Sequence, residues 1–550
     1  MSTLAATLKA LRRSNTLDRA GISTGDVVAA ELASAGVGFV APGSPLEGRW
    51  HQALAELRGC IGPLPGAPAA LFEGGPYPGN WLESTGTISS EVLGRFAPTA
   101  AADSFRLYAV HQRADGQLPY NVISSGPGFS QLQIVTPLAR SVWNHYLLTG
   151  RDHDFLTLMY RAMAAYDAWL SRHRDTRGTG AVEAFCTFDT GHDLSPRFWF
   201  VPDRCPQGDA TRYDATSPLL PYIAPDLTAN IACQRSYLAR IAAELGEDPE
   251  PWEKKAADSL TALRTQCYDP ADDFYYDRAA DQTLVRVQSD VLLRVLACEV
   301  GDHDEFVTQL SRYLLNTGKF CSHYGFTSLA MDEPRFDRDH QRNSWGGPVN
   351  FLSLIRAPHA FDHHGHHAEL ALTQRPVLAA LARADRFPQC LDPWSGAAGY
   401  ASGYSPAILW YLDAIERSCG VLPRPDGQIW LTGLPPTRLD HDVAATASGY
   451  RRTVAGVHYE LVADDARVEV YRDGGLWLEF PTGWRVVLGP DGAVSQVIGM
   501  VASEVSGDLT VDGRRTPLRL GPNQRTSPDA PADAHGPGFV APHSHDPSHD

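Results

Sequence analysis

Apolar residues recur at intervals of three and four between residues 91 and 421, a spacing typical of amphipathic α-helices. The pattern predicts helices at 92–111, 131–148, 155–173, 227–245, 251–267, 285–300, 305–315, 349–355, 363–384 and 404–418. Short and long loops alternate between these segments, as in a series of helical hairpins. Hairpins that close into a ring form an α/α toroid, and an open helical superhelix is the competing arrangement.

From residue 422 to 522 apolar and polar residues alternate in short runs that Gly and Asp turns separate. This pattern predicts a small all-β module of the sandwich type. Residues 1–90 are mixed and rich in Gly and Pro, and we interpret them as an N-terminal segment or lid. Residues 523–550 contain too few apolar residues for a core and predict a disordered tail. The predicted fold class is therefore mainly α, with a toroid over residues 91–421 and a C-terminal β module.

The charge balance narrows the choice of partners. A formal net charge of -17 and a pI near 5.6 argue against a nucleic-acid partner and suit a small neutral ligand. No apolar run is long enough for a membrane span, and no apolar core of a secretory signal is present, so we expect a cytoplasmic protein. The Ala, Arg, Asp, Pro and Gly bias is typical of a high-GC bacterium. Sequence leaves the oligomeric state open, a homo-oligomer included.

The nine cysteines are scattered and form no CxxC pair, which favours buried reduced thiols over a disulfide framework or a structural zinc site. His363 and His367 have the i, i+4 spacing of metal ligands on a helix, but no zincin-type acidic motif accompanies them. The sequence thus predicts no metal site and no cofactor.

Long loops at 113–130, 175–225, 318–348 and 385–403 hold most of the unusual residues, and long loops in a compact domain are usually functional. Glu183, Asp189 and Asp193 lie within eleven residues of one another. Carboxylates so close together raise one another's pKa, as a general acid requires. The alternative is that nearby arginines pair with some of them in structural salt bridges, and we expect that role for Asp189.

The same loops offer aromatic faces and polar groups of the kinds that bind sugars. The candidates for substrate binding are Tyr77, Trp81, Glu83, Gln117, Asn121, Arg197, Arg342, Trp345 and Gln389. Each also has a simpler interpretation, as lid packing, a plain turn, a salt bridge or core packing.

The stretch Phe-Asp-Thr-Gly-His-Asp-Leu-Ser-Pro-Arg at 188–197 resembles the Glu-Ser-Gly-X-Asp-X-Ser-Pro-Arg signature of six-hairpin glycosidases. Over roughly residues 75–420, the loop segments follow the order found in glycoside hydrolase family 63 and the bacterial mannosylglycerate-hydrolase-like enzymes; family 37 trehalases are more distant. The resemblance implies an (α/α)6 barrel and an inverting, exo-acting glycosidase that acts on a small α-linked sugar or glycoside. It also implies that Asp193 is the general acid and that no metal is needed.

The chain departs from the family pattern where the general base is expected, because the family's Glu falls on Gln389. A glutamine cannot accept a proton from water. Asp392, Glu83 or Glu183 could supply the base instead. Two further hypotheses stay open: a non-hydrolytic enzyme on the same toroid, such as a sugar isomerase, epimerase or cyclase using His192 or His323, and a sugar-binding protein without catalysis.

Overall fold

The computed structural model describes residues 2–133, 136–437, 439–440 and 443–544. Helices dominate up to residue 419 and strands dominate afterwards, which confirms the predicted order of a mainly helical part and a β-rich C-terminal region. The α-helices are α1 (Thr3–Arg13), α2 (Thr16–Arg19), α3 (Ala29–Ala35), α4 (Pro45–Gly59), α5 (Ile88–Leu93), α6 (Pro98–Val110), α7 (Leu138–Leu148), α8 (His153–His173), α9 (Pro225–Glu244), α10 (Glu250–Cys267), α11 (Val291–Leu296), α12 (His303–Gln309), α13 (Phe351–Leu354), α14 (Ala357–His364), α15 (His367–Arg383) and α16 (Ser405–Cys419).

The helices form a closed double ring. In the described chain, α5, α7, α9 and α11 contact one another in that order, the broken segment α13–α14 follows, and α16 returns to α5. Helices α6, α8, α10 and α15 pack against the outside of this inner ring. The inner helices are enclosed on most sides and therefore carry apolar residues around most of their circumference; α16 is buried along almost its whole length. The ring excludes the open superhelix.

Helix boundaries follow local chemistry that the periodicity did not resolve. The predicted helix at 92–111 is two helices, since the chain turns after Leu93 and restarts at Pro98, where a proline suits the first helical turn. Likewise, α7 begins at Leu138, directly after Pro137. The N-cap of α8 is Asp152, whose side chain accepts a hydrogen bond of 3.0 Å from the Phe155 amide.

Two antiparallel sheets make up the β-rich part, and shorter strands lie in the loops. The strands are β1 (Gly38–Val40), β2 (Ile61–Leu64), β3 (Ala67–Leu71), β4 (Gly79–Trp81), β5 (Asn121–Ile123), β6 (Gly126–Gly128), β7 (Glu183–Ala184), β8 (Tyr222–Ile223), β9 (Tyr268–Asp269), β10 (Phe274–Tyr275), β11 (Asp277–Arg278), β12 (Leu284–Val285), β13 (Cys321–Ser322), β14 (Gly325–Phe326), β15 (Val349–Asn350), β16 (Cys390–Leu391), β17 (Val421–Pro423), β18 (Ile429–Thr432), β19 (Ala447–Val454), β20 (Val457–Asp464), β21 (Arg467–Arg472), β22 (Gly475–Pro481), β23 (Trp484–Leu488), β24 (Val494–Gly499), β25 (Val505–Val511), β26 (Arg514–Leu520), β27 (Arg525–Ser527) and β28 (Ala530–His535). The sheet orders are β1-β19-β20-β21-β22-β25-β26 and β17-β18-β23-β24-β27-β28.

The chain termini depart from the predicted division. Strand β1 pairs with β19 at the edge of the larger sheet, and α1 packs on the same sheet, so part of residues 1–90 belongs structurally to the β region. The expectation of a disordered tail over 523–550 is wrong for 525–535, where β27 and β28 extend the second sheet. A segment with few apolar residues can still be ordered when its backbone pairs with an existing strand. Residues 545–550 lie outside the described chain.

Short strands bring the long loops together at the ring. Strand β4 pairs with β5, and β5 with β6, which joins the segment at 79–81 to that at 121–128. Strand β15 pairs with β16, Asn350 opposite Cys390, which joins the loop at 318–348 to that at 385–403. Among the described residues, no helix is both long and apolar enough to cross a membrane.

Candidate active site

The loop that carries Asp193 is fixed by close contacts on both sides. Gly191 has φ +68°, and a Cβ there would clash with Oε2 of Glu83, so this position requires glycine. Leu194 also has a positive φ, of 60°. The Trp345 amide donates a hydrogen bond of 3.0 Å to the Asp193 carbonyl. Asp193 and Glu83, which are 110 residues apart in sequence, are thereby held in one neighbourhood.

A chain of neutral hydrogen bonds ends on the Asp193 carboxyl. The Asn343 side-chain amide donates to Oδ2 of Asp193. Nε2 of Gln389 donates to Oδ1 of Asn343 at 2.9 Å, and the Tyr77 hydroxyl donates to Oε1 of Gln389 at 3.1 Å. Gln389, which the resemblance in sequence aligns with the expected base, is thus connected to the general-acid candidate through Asn343.

Burial raises the pKa of Asp193 to about 7, and the negative charges of Asp203 and Glu73 act in the same direction. The hydrogen bond from Asn343 opposes the shift because it stabilises the carboxylate. Asp193 therefore holds a proton close to neutral pH, which is the protonation state that a general acid needs.

Two more buried carboxyls lie beside Asp193. Burial raises the pKa of Glu73 to about 7, although the Tyr404 hydroxyl donates to its Oε1 at 2.6 Å. Burial and the Glu73 charge raise the pKa of Glu83 well above its usual range, while Arg294 and Arg356 oppose the shift. Oε2 of Glu83 is buried without a hydrogen-bond partner in the part of the chain that the structure describes. The three carboxyls cannot all ionise easily together.

A layer of buried ion pairs supports this group. Arg197 lies 3.0 Å from Asp226 and 2.7 Å from Asp277, and it is almost fully buried. Both of its partners are equally enclosed. Arg197 was a candidate for substrate binding, and in the structure its guanidinium pairs with these two carboxylates inside the protein.

Trp345, another candidate for substrate binding, is also part of the scaffold. Its ring is buried, with its centroid 4.7 Å from that of His192 and 4.5 Å from the Arg294 guanidinium. His192 is itself buried, 3.1 Å from Asp290, and burial lowers the pKa of His192 to about 3. His192 therefore stays neutral and is enclosed in the scaffold, whereas His323, the other histidine of the isomerase or cyclase hypothesis, is half-exposed and lies 3.2 Å from Asp440.

Glu183 and Asp392, both candidates for catalysis, are occupied in local structure. Glu183 accepts hydrogen bonds from the amide and hydroxyl of Thr176 at 2.8 and 2.7 Å and from Arg177 at 2.9 Å. Oδ1 of Asp392 accepts from the amides of Trp394 and Ser395 at 3.0 and 2.8 Å, the pattern of an Asx turn, and the pKa of Asp392 is lowered. These contacts give both residues a role in holding their loops.

The remaining candidates divide into three groups. Tyr77 and Trp81 form an edge-to-face pair with centroids 5.6 Å apart, and Tyr77 joins the network of Asp193. Gln117 donates to the Phe129 carbonyl at 2.9 Å, and Asn121 is buried in β5, so both hold the loop at 113–130. Arg342 is exposed and pairs with Asp337 and Asp339, so the structure does not place it with Asp193.

Sequence reasoning missed three residues of the site: Glu73, Asn343 and Tyr404. All three stand in loop segments that carry other candidates, and Asn343 directly follows Arg342. The available signal was a Gly-Gly turn after Glu73 and the alternation within 342–345. That pattern does not indicate which of the neighbouring polar residues, Arg342 or Asn343, faces Asp193.

One group of side chains has the spacing of metal ligands. The ligand atoms of Cys186, Asp189 and Cys205 lie within 4.8 Å of one another. However, Asp189 already accepts four hydrogen bonds, two from Arg174 and one each from the amides of Leu132 and Phe185. A carboxylate saturated by donors, with a guanidinium next to it, does not fit a cation site.

The helices form a double-ring toroid with a group of carboxyls at its loops, and solved structures agree on this fold. The mannosylglycerate hydrolase of glycoside hydrolase family 63 from Thermus thermophilus, solved with Tris, is 18% identical; the match covers 66% of this chain and 99% of that chain, with TM-score 0.56. The same enzyme with glucose is 19% identical, covering 66% and 99%, with TM-score 0.55. A structure described as a sialidase is 13% identical, covering 84% of this chain and 42% of that chain, with TM-score 0.60.

The family described as the mannosylglycerate hydrolase MGH1-like glycoside hydrolase domain matches residues 77–406, more than half of the chain. The chain therefore belongs to this family of glycoside hydrolases. No curated protein matches the sequence. The resemblance derived from the loop segments is thus confirmed at the level of the family.

Proposed function

We propose that this glycoside hydrolase cleaves a small α-linked sugar or glycoside from its end, with inversion of configuration, and that Asp193 is the general acid. The observation that carries the proposal is the Asp193 carboxyl, which keeps its proton to a pKa of about 7 and is oriented by the Asn343 amide. The proposed fold is the six-hairpin toroid. The proposed partner is a carbohydrate, and a cytoplasmic location stays a prediction from sequence.

The second carboxylate in this proposal is Glu83. Gln389 cannot act as a base, and Asp392 and Glu183 are occupied, whereas Oε2 of Glu83 has no partner among the described residues. Burial and the charge of Glu73 raise the pKa of Glu83, whereas Arg294 and Arg356 favour its ionised form, so Glu83 acts as a base in the fraction of the enzyme in which it is ionised. In the reaction, Glu83 takes a proton from water while the water oxygen bonds to the anomeric carbon. The glycosidic bond breaks at the same time, and Asp193 gives its proton to the leaving oxygen.

Tyr77 and Trp81 are the proposed contacts for the sugar ring. Tyr77 is half-buried at the end of the Asn343–Gln389 network, and its pair with Trp81 presents aromatic surface next to Asp193. Gln389 supplies an amide to the same place. The Thermus thermophilus enzyme was solved with glucose and with Tris plus D-glycerate, so glucosyl- and mannosyl-glycerates belong among the substrates to test.

The test uses two leaving groups that differ in their need for a proton. We expect Asp193→Asn to lose roughly 10²–10⁴-fold in kcat/KM on alkyl glycosides and glycosylglycerates. The same variant should keep hydrolysing an α-glycosyl fluoride, because fluoride leaves without protonation. Glu83→Gln should lose both activities, since it removes activation of the water. Proton NMR of the first product gives the anomer and hence inversion or retention.

Asp392→Asn is the matched control, a carboxyl-to-amide change outside the site that should leave both rates close to those of the wild type. Hydrolysis of alkyl glycosides by Asp193→Asn at the wild-type rate would refute the role of Asp193. Loss of the fluoride activity in Asp193→Asn but not in Glu83→Gln would reverse the two assignments.

The second candidate function is a sugar-binding protein without turnover. The observation that favours it is Gln389, a hydrogen-bonding amide where the family has its base. This candidate requires that the wild type binds a sugar by calorimetry and releases no product from any glycoside or glycosyl fluoride in the panel.

A further inference from the structure

Two cysteines meet beneath the loop that carries Asp193. The sulfur atoms of Cys186 and Cys205 are 3.6 Å apart, and both side chains are buried. They form a small cluster with Phe185, flanked by Phe188 and Tyr213. The two thiols are therefore in direct contact in an apolar environment.

The position of this pair in the chain is informative, because Cys186 precedes Asp193 and Cys205 follows it. Next to the pair, the two arms of the loop are already joined through the backbone. The Thr187 amide donates to the Pro202 carbonyl at 3.0 Å, and the Phe188 amide donates to the Asp203 carbonyl at 3.2 Å. A covalent link between the sulfurs would close the loop at its base.

Closing the bond requires a small movement. A disulfide has an S–S distance of about 2.05 Å, so the sulfurs must approach by roughly 1.5 Å. A metal ion is the competing occupant of this cluster, but the saturated carboxylate of Asp189 leaves it only two sulfur ligands. In addition, Nη2 of Arg174 lies 3.9 Å from Sγ of Cys205, and this positive charge repels a cation.

We propose that Cys186 and Cys205 are a covalent modification site and form a disulfide that ties the base of the Asp193 loop. The oxidant is a low-molecular-weight disulfide of the glutathione class. The Cys205 thiolate attacks one sulfur of this oxidant and releases one small thiol, which leaves a mixed disulfide on Cys205. Cys186 then loses its proton and attacks Sγ of Cys205, which releases the second small thiol. Two protein thiols are oxidised and one small disulfide is reduced.

The proposal does not depend on hydrolytic activity, and it is tested by mass spectrometry. The full-length native protein is incubated with oxidised glutathione, alkylated, and digested with trypsin without reduction. We expect peptide 178–197 linked to peptide 205–212, two hydrogens lighter than the sum of both, and seven free thiols of the original nine. Nine free thiols, a stable glutathione adduct on either cysteine, or a link between other cysteines would each overturn the proposal.

Serine variants test which cysteine reacts in each of the two exchange steps. Cys186→Ser should stop at the mixed disulfide on Cys205, and Cys205→Ser should lose the link. Cys233→Ser is the matched control, another buried thiol whose loss should leave the link intact. Native trypsin cleavage after the exposed Arg204 should be slower in the oxidised wild type than in the reduced protein. Equal cleavage rates would show that the loop is not tied. The wild-type measurements stand even where a serine variant does not fold.

Discussion

Two sets of buried carboxylates lie within the same ring and differ in what surrounds them. Asp226 and Asp413 face arginines, and the pKa values of both are lowered, because the gain from the charged partners exceeds the cost of burial. Asp193 and Glu73 receive hydrogen bonds from an amide and a hydroxyl, and their pKa values rise to about 7. Carboxyls that are all largely enclosed thus lie on opposite sides of their ordinary pKa, and the charge of the partner decides which.

The largest expected effect concerns the scaffold. Asp226 touches two buried arginines, Arg197 at 3.0 Å and Arg294 at 3.2 Å. Asp226→Asn leaves both guanidinium groups with one carboxylate fewer, and breaking a buried pair in this way costs about 3–5 kcal/mol. Urea denaturation at pH 7 should show this loss in the free energy of unfolding. A free energy of unfolding equal to that of the wild type would mean that Asp226 does not stabilise the fold, and the two sets of carboxylates would not differ in this respect.

The same substitution at Asp193 should have the opposite sign. The folded protein keeps the Asp193 proton to about pH 7, whereas the unfolded chain loses it near 3.8, so folding becomes less favourable as the pH rises between these values. Asp193→Asn removes this penalty and should stabilise the fold by about 1–4 kcal/mol at pH 8. The gain should be smaller at pH 5. If Asp193→Asn destabilised the fold at pH 8, Asp193 would belong with the carboxylates that stabilise the structure, such as Asp226.

The pH dependence of activity gives a third test, with variants of two residues next to Asp193, Asn343 and Glu73. Activity should fall as the pH rises through about 7, where the acid loses its proton. Asn343→Ala removes a donor that stabilises the carboxylate, so the pKa of Asp193 and the alkaline limb of kcat/KM should move up. Glu73→Gln removes a like charge and should move the limb down. Shifts of the same sign in both variants would contradict the assigned network.

The sequence predicted the kind of fold and the family, because helical periodicity and the 188–197 signature are local features; the role of Asp193 as the acid stays a proposal. It did not predict the role of each polar residue in the loops. Glu183 lies in the short strand β7, and Glu83 lies two residues after β4. Only the three-dimensional contacts give Glu183 hydrogen bonds from Thr176 and Arg177 and leave Oε2 of Glu83 without a partner among the described residues. The ordered strands β27 and β28 were missed for a similar reason. The prediction rested on the composition of residues 523–550 alone, whereas β27 pairs with β24, which lies outside that segment.

The smallest expected effect separates two adjacent residues. Arg342 is 58% exposed and pairs with Asp337 and Asp339 in solvent, where such an ion pair contributes about 0–1 kcal/mol. Arg342→Ala should therefore change the free energy of unfolding by less than about 1 kcal/mol and leave KM and kcat as they are, although Asn343 next to it holds the acid. A substantial rise in KM for Arg342→Ala, with kcat unchanged, would mean that this arginine leaves its two aspartates to bind substrate. Arg342 would then belong to the substrate-binding site together with Asn343.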